Sequence, residues 1–266
     1  MSPGYSAIIH STTKEEFAIH TSDPKARVVE PVADWDKFSI DYDRIFLEYP
    51  VYVDTLRKMV EQVEHGNESR FADIGCGTGN AIEQVLASFP GAHIIGIDPS
   101  EGMRERCAWR FAGNPQVEVI DGGALAVPLE DGVCDYALSS FALHHVHPDY
   151  RGQCAREIAR VLAPGGMLVY ADVFCDVDGP PDDPERAKDI INKMVGAALY
   201  CLDHGAFDMA MIMLKSLPAD VLADGEYVTT VGTWTGVLEE AGFAILSVQS
   251  IEPDGLGTRI IVAERK

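Results

Sequence analysis

The chain has 266 residues, 47% of them hydrophobic and 24% charged, with 42 acidic against 21 basic side chains and a formal charge of −21. That balance argues against a duplex nucleic-acid binder, which needs cations to displace phosphate counterions, and against an electrostatic anchor on anionic lipid. The hydrophobic content excludes disorder over most of the chain.

Residues 1–30 are polar and weakly patterned, an expected arm or leader. Lys14, Glu15 and Glu16 stand where a signal peptide would be apolar. From Trp35 to Val63 the pattern is helical, with Leu56, Met59, Val60 and Val63 on one face. Phe71–Ile74 is a strand that runs into a glycine-rich turn. Ile82, Val85, Leu86 and Phe89 form a second helical stripe, stopped by Pro90-Gly91. His93–Ile97 is the second strand, and Ser100 caps a helix to about Phe111. Val117–Ile120 and Tyr136–Ser139 are the third and fourth strands. A helix from Tyr150 to Val161 leads to the fifth, Met167–Ala171. This alternation predicts parallel β-α-β units in an open sheet covered on both faces.

The rhythm breaks after Asp172. Residues 176–184, acidic and proline-rich, predict a loop. Ile191, Met194, Val195, Ala198, Leu199 and Leu202 mark a helix, and Phe207–Leu217 is a second helix, apolar nearly all round. A helix over Trp234–Ala241 ends at Gly242. Strands Phe243–Val248 and Arg259–Ala263 follow, and their short connection predicts antiparallel pairing. No apolar run reaches the roughly 18 residues of a membrane span. The cysteines at 76, 107, 134, 154, 175 and 201 form no C-x-x-C pair, which suits free thiols and a cytoplasmic location.

Asp73-Ile74-Gly75-Cys76-Gly77-Thr78-Gly79 leaves the first strand and opens a helix. Such a unit alone indicates a nucleotide-like ligand in an α/β crevice. The spacing is G-x-G-x-G rather than the G-x-G-x-x-G of dinucleotide binders, and Asp73 precedes the first glycine by two positions. A carboxylate there serves a pyrophosphate poorly and an ammonium group well. Asp98, at the end of the second strand, is placed to accept from two ribose hydroxyls. An adenosine carrying an amino-acid tail and no phosphate fits these facts.

Here the chain resembles the class I S-adenosylmethionine-dependent methyltransferases, in their small-molecule branch. The resemblance covers roughly residues 35–175 and 230–265. It rests on Asp73–Gly79, Ile94–Asp98, Val117–Leu129, Asp135–Val146 and Arg160-Val161-Leu162-Ala163-Pro164-Gly165-Gly166. It implies a doubly wound, mostly parallel seven-stranded Rossmann-like sheet with an antiparallel last strand. It also implies a single domain, with an arm and helical cap over 1–65, a cofactor-binding core over 66–175 and a helical lid insertion over 176–230. The last helix and two strands take 231–266.

The implied cofactor is S-adenosyl-L-methionine, with S-adenosyl-L-homocysteine as product. Gly75 and Gly77 would flank its methionine tail, near the Asp73 carboxylate, and Asp98 would bind its ribose; Cys76, Gly79, Pro99 and Met103 would also line the cofactor site. Ser139, Ser140 and Phe141 would line the sulfonium, and Tyr42 would close over it from the N-terminal segment. The family places an adenine-binding Asp five residues before the proline of a Leu-Pro-Phe-like triplet. Here that triplet is Val127-Pro128-Leu129 and the position is Gly123. Either a bulge restores Asp121, two residues early, or the backbone of Gly123 and Ala124 does the work; Gly122 in the same turn would also line the cofactor.

Leu143-His144-His145-Val146-His147 offers His144 or His145 as a general base for a hydroxyl or ammonium acceptor; the plain alternative is packing under the cofactor. No carboxylate stands at a recognised metal-ligand spacing, so no metal is expected. Met194, Met209, Met211 and Met213 suit an adaptable substrate lid or, equally, a dimer contact, and the chain is expected to be a monomer or homodimer. The acidic stretch Asp176, Asp178, Asp182, Asp183 and Glu185 reads as a solvated face. The expected partner is a small-molecule acceptor with an O, N or C nucleophile. Two rivals are an arsenite methyltransferase using Cys175 and Cys201, and a protein that binds the cofactor without methylating.

Overall fold

Phe71 and Ala72, adjacent on the first strand, point to opposite faces of one sheet, and both are fully buried. Apolar layers therefore cover both faces, as parallel strands require. The computed structural model describes residues 34–266; the arm expected over 1–30 lies outside the described residues. The strands are β1 (Arg70–Ile74), β2 (His93–Asp98), β3 (Val117–Asp121), β4 (Cys134–Ser140), β5 (Leu162–Val173), β6 (Phe243–Ser250) and β7 (Thr258–Arg265). They lie in the order β3-β2-β1-β4-β5-β7-β6. The first five are parallel, and β7 runs antiparallel to both β5 and β6. The doubly wound, Rossmann-like fold expected from the sequence is present. From β1 the chain winds outward to β3, then returns to lay β4 on the other side of β1. The carboxyl ends of β1 and β4 thus flank the switch point where such sheets bind ligands.

The helices are α1 (Trp35–Phe46), α2 (Pro50–Val60), α3 (Asn80–Ser88), α4 (Glu101–Arg110), α5 (Arg151–Val161), α6 (Pro184–Asp203), α7 (Phe207–Leu222) and α8 (Val231–Glu240). Residues of α2, α3, α6 and α7 share one core layer with Phe71, Leu138, Val169 and Ile260. Residues of α5 and α8 share the other with Ile74, Ala137, Tyr170 and Ile261. Among the described residues no helix is long and apolar enough to cross a membrane.

The structure corrects the sequence-derived boundaries in four places. The helical segment expected over Trp35–Val63 is two helices. Tyr49 is extended and Pro50, which has no N–H to lose, occupies the first turn of α2. α6 starts at Pro184, well before Ile191, because the acids and proline read as loop are start signals. The Asp183 carboxylate accepts from the N–H groups of Glu185 and Arg186, both at 2.9 Å, and Pro184 follows it directly. α7 runs through Pro218 to Leu222 rather than ending at Leu217. β5 is longer than Met167–Ala171. Leu162 already pairs with Cys134, the register then shifts, and Met167 pairs with Tyr136.

Candidate active site

The loop after β1 is built by its glycines. Gly75, Gly77 and Gly79 have φ of +76°, +53° and +89°, values that L side chains adopt at a cost. The N–H groups of Gly75 and Cys76 both donate to the carbonyl of Ile97, at 2.8 and 3.1 Å, and fold the loop over β2. A Cβ on Gly75 would come 2.4 Å from Cβ of Ala142, while at Gly77 it would meet nothing within 4 Å. The loop is therefore closed against β4 at Gly75 and open at Gly77. Gly75→Ala combines a clash with an adverse φ and should lower unfolding stability by about 2–4 kcal/mol in a denaturant melt. Gly79 and Cys76 face the other way. A Cβ on Gly79 would strike Phe111 and the Cys107 sulfur. The Cys76 thiol sits under the loop, where a hydrogen bond with Cys107 and burial keep it protonated.

Two carboxylates frame this loop. Asp73 is fully buried, and neither of its carboxylate oxygens has a hydrogen-bond partner. Burial and, second to it, the charge of Asp98 push its pKa up to about 7. A buried carboxylate without a partner is costly, and it is the feature that calls for a cationic ligand. Asp98 accepts from the Gly77 N–H at 2.8 Å and the Ser100 N–H at 2.9 Å, one on each oxygen. Each oxygen keeps a second lone pair for a hydroxyl. Burial raises its pKa against those two bonds. Pro99 beside it is exposed, and Met103 is buried with its N–H on the Ser100 hydroxyl oxygen at 3.2 Å. Asp121 stands opposite Asp98 in the β2–β3 register. Its side chain is exposed and paired with Arg104 at 2.8 Å. A Cβ on Gly122 would come 2.6 Å from Cδ of Pro128, and Gly123 bridges to Ala126, with Ala124 half-buried in the same turn.

α1 is latched over the loop. Asp43 accepts from the Thr78 hydroxyl, from the Asn80 amide at 3.1 Å and from Arg110. Asp36 accepts from the Ser100 hydroxyl at 2.6 Å and the Gly102 N–H at 3.0 Å. Tyr42 stacks on Phe46, with centroids 4.1 Å apart, and burial together with the nearby Tyr52 and Asp98 raises its hydroxyl pKa well above normal. At the end of β4, Ser139 is buried and donates to the Ile74 carbonyl at 2.8 Å. Ser140 is half-buried. Phe141 takes a left-handed φ of +51°, with its ring 5.4 Å from Tyr52.

The histidines follow in a 3-10 turn, Leu143–His145. His144 Nδ1 is 2.6 Å from Asp172 Oδ1, and its Nε2 is 3.2 Å from Glu226 Oε2. His145 Nδ1 lies 3.2 Å from the same Glu226 oxygen and 3.2 Å from the Gly225 carbonyl. Asp172 is fully buried and also accepts from the Tyr170 hydroxyl and from the Val173 and His144 N–H groups. Burial works against charge on His144, but Asp172 and Glu226 outweigh it and raise its pKa well above the usual imidazole value. Burial likewise works against Glu226, yet hydrogen bonds from both histidines hold its carboxyl well below the usual range. The loop carrying Glu226 is pinned in place. The Tyr227 N–H donates to the His144 carbonyl at 2.7 Å, and Arg151 donates to the Tyr227 carbonyl at 2.7 Å. His147 lies apart, beside Asp149 and Tyr227.

Sequence reasoning missed Asp172 and Glu226. Asp172 had a signal, a carboxylate at the carboxyl end of a strand. Glu226 had none, since only tertiary packing brings it to the histidines. Cys175 and Cys201 are buried in different clusters, Cys175 with Ile190 and Val228, Cys201 with Met213. Burial pushes both thiols up to about 11. Met194, Met209 and Met213 pack into the core, while Met211 is exposed. A surface crevice lined by His65, Ser69, Asp135 and Tyr136 lies at the opposite, amino-terminal end of β1 and β4.

A doubly wound sheet with a glycine loop at its switch point and two buried carboxylates beside that loop defines an α/β protein with a ligand crevice at its carboxyl edge. Comparison with known proteins narrows the class. Residues 71–166 match the methyltransferase domain family. The chain is 30% identical over 237 residues to the demethylmenaquinone methyltransferase of Clavibacter sepedonicus, covering 87% of each. A solved S-adenosylmethionine-dependent methyltransferase from Thermotoga maritima superposes with TM-score 0.58 at 20% identity, over 87% of this chain and 98% of that one. A geranyl diphosphate methyltransferase solved with sinefungin superposes with TM-score 0.56 at 14% identity, over 80% and 76%. The chain belongs to the class I S-adenosylmethionine-dependent methyltransferases and is an enzyme of that kind.

Proposed function

We propose that the enzyme methylates a small-molecule acceptor whose reacting atom carries a proton, a hydroxyl or an amine. The carrying observation is the presence of two features at the carboxyl ends of adjacent strands β1 and β4. Asp73 is a buried carboxylate in want of a cation, and the His144–His145–Glu226 cluster is a polar wall where an acceptor proton can be handled. The strongly acidic net charge of the chain disfavours a nucleic-acid acceptor. The Clavibacter relative is named for a small-molecule acceptor, demethylmenaquinone, which supports the class but not that compound.

When bound, S-adenosylmethionine supplies an electrophilic methyl on a sulfonium and leaves a neutral thioether, S-adenosylhomocysteine. Asp73 receives the ammonium of the methionine tail, with Gly75 and Gly77 presenting backbone to it. Asp98 accepts from the ribose hydroxyls, flanked by Pro99 and Met103. Asp121, or the backbone from Gly122 to Ala124, reads the adenine. Ser139, Ser140 and Phe141 would edge the sulfonium, and Tyr42 would cover it from α1. Holding the nucleophile in line behind the methyl can contribute ~7–11 kcal/mol. α6 and α7 form a lid that excludes water, bridged to α1 by the Arg44–Asp208 ion pair.

The test is incubation of the full chain with S-adenosylmethionine and a panel of phenols, enols, acids and amines, reading S-adenosylhomocysteine. Calorimetric uptake of S-adenosylhomocysteine is expected. Uptake of NADH in its place would overturn the assignment, and binding with no turnover on any acceptor would favour a non-methylating role. Separate, protonated thiols do not suit arsenic capture, which needs neighbouring thiolates. Cys175→Ser and Cys201→Ser should each keep turnover per folded molecule within about threefold of the parent, an order-of-magnitude allowance for repacking. Loss of all turnover in both would revive the arsenite alternative.

A further inference from the structure

We infer that His144, His145 and Glu226 form a binding site for a divalent transition-metal cation of the zinc, manganese or iron(II) kind. One donor atom from each residue lies within 4.8 Å of the other two. Both nitrogen-to-oxygen separations measured to Glu226 Oε2 are 3.2 Å. A cation about 2.1 Å from its ligands sets neighbouring donors about 3.0 Å apart in an octahedron and about 3.4 Å apart in a tetrahedron. Both nitrogen-to-oxygen separations fall between those values.

The surroundings match a metal site more closely than a chance ion pair. Nδ1 of His144 is bonded to the buried Asp172 carboxylate, which fixes the ring and leaves Nε2 facing Glu226. A carboxylate behind a ligating imidazole is the usual outer support of a bound metal. The His145 ring is held between Trp35, at 5.3 Å, and His144, at 4.1 Å. Independently, Asp220 is buried with one carboxylate oxygen unpartnered, and it lies close enough to feel Glu226 and His144. Asp172 and Glu226 bracket the His144 ring, and Glu226 also faces His145, so the donors converge on one point between the two rings. Two nitrogens and one oxygen favour borderline transition cations over magnesium or calcium. Three protein ligands leave coordination positions open for water or for an oxygen of the acceptor. The existence of the site is independent of the acceptor assignment; only its use in methyl transfer rests on that reading.

The chelator-treated chain is titrated with Zn²⁺ by calorimetry and with Co²⁺ by visible absorption, without cofactor or acceptor. One saturable equivalent is expected. His145→Ala and Glu226→Gln should each weaken binding at least about tenfold, and Asp172→Asn about ten- to a hundredfold through the ring it orients. S-adenosylhomocysteine titration of every variant shows that the fold is kept. Absence of saturable binding by the parent chain, or equal binding by His145→Ala and Glu226→Gln, would overturn the site and leave the methyltransferase assignment standing. Loss of S-adenosylhomocysteine binding by the parent chain would strike that assignment and leave the metal titration intact.

Discussion

Asp73→Asn is expected to weaken S-adenosylhomocysteine binding at least about thirtyfold while making the cofactor-free chain more stable. Both effects have one cause. The carboxylate is fully buried and has no hydrogen-bond partner, so it is poorly accommodated until an ammonium arrives. Removing one partner of a buried charge pair costs about 2–5 kcal/mol of binding, of which thirtyfold is the lower end. The stability effect follows from the pKa. Burial raises Asp73 from 3.8 to about 7. Between those values the native chain keeps a proton that the unfolded chain has released. Native stability therefore falls as pH rises from about 4 to about 7 and is level above that. The full loss is roughly 4 kcal/mol in order of magnitude. The asparagine variant lacks this loss, so the two melting curves should coincide near pH 4 and separate toward neutrality. S-adenosylhomocysteine affinity of the parent chain should rise over the same window, because the ammonium favours the charged carboxylate. Parallel pH profiles for the two chains, or unchanged affinity in the variant, would show that Asp73 does not meet the cofactor.

Replacing Asp172 by alanine should be the most damaging single change among the polar residues near the site. Its carboxylate accepts from His144 Nδ1, the His144 N–H, the Tyr170 hydroxyl and the Val173 N–H. Alanine strands all of these donors and leaves Glu226 as the sole charged partner of a half-buried imidazole. Breaking a buried, hydrogen-bonded ion pair costs about 3–5 kcal/mol. Tyr170→Phe removes one of the donors together with its need for a partner and should cost only about 1 kcal/mol. Urea unfolding of the two variants distinguishes a shared network from independent bonds. Comparable losses for both would mean that the hydroxyl, not the histidine, anchors the carboxylate.

The residues proposed to hold the cofactor are close in sequence or sit at equivalent strand ends, which is why a sequence pattern can point to them. Asp73, Gly75 and Gly77 belong to one strand-to-helix turn, and Asp98 ends the next strand of the same parallel unit. The glycine spacing reports a backbone conformation, and the apolar stripes report which side of each element is covered. Both are local properties. Less was legible at Asp121, whose carboxylate turned out to be exposed and paired with Arg104. The start of α6 was misread because proline and acids serve loops and helix caps equally well.

The sequence by itself determined the order of strands and helices, the antiparallel turn at the end and the carboxylate-and-glycine signature of an adenosyl amino acid. Each of these follows from hydrophobic period, turn chemistry and charge within a few tens of residues. Only the tertiary structure decided that Glu226, carried by a loop after α7, meets His144 and His145, and that Asp172 backs them. It alone placed Cys175 and Cys201 in separate apolar clusters. Contacts between distant segments depend on how whole layers pack. No period or spacing in one stretch of chain encodes which side chain will arrive from another.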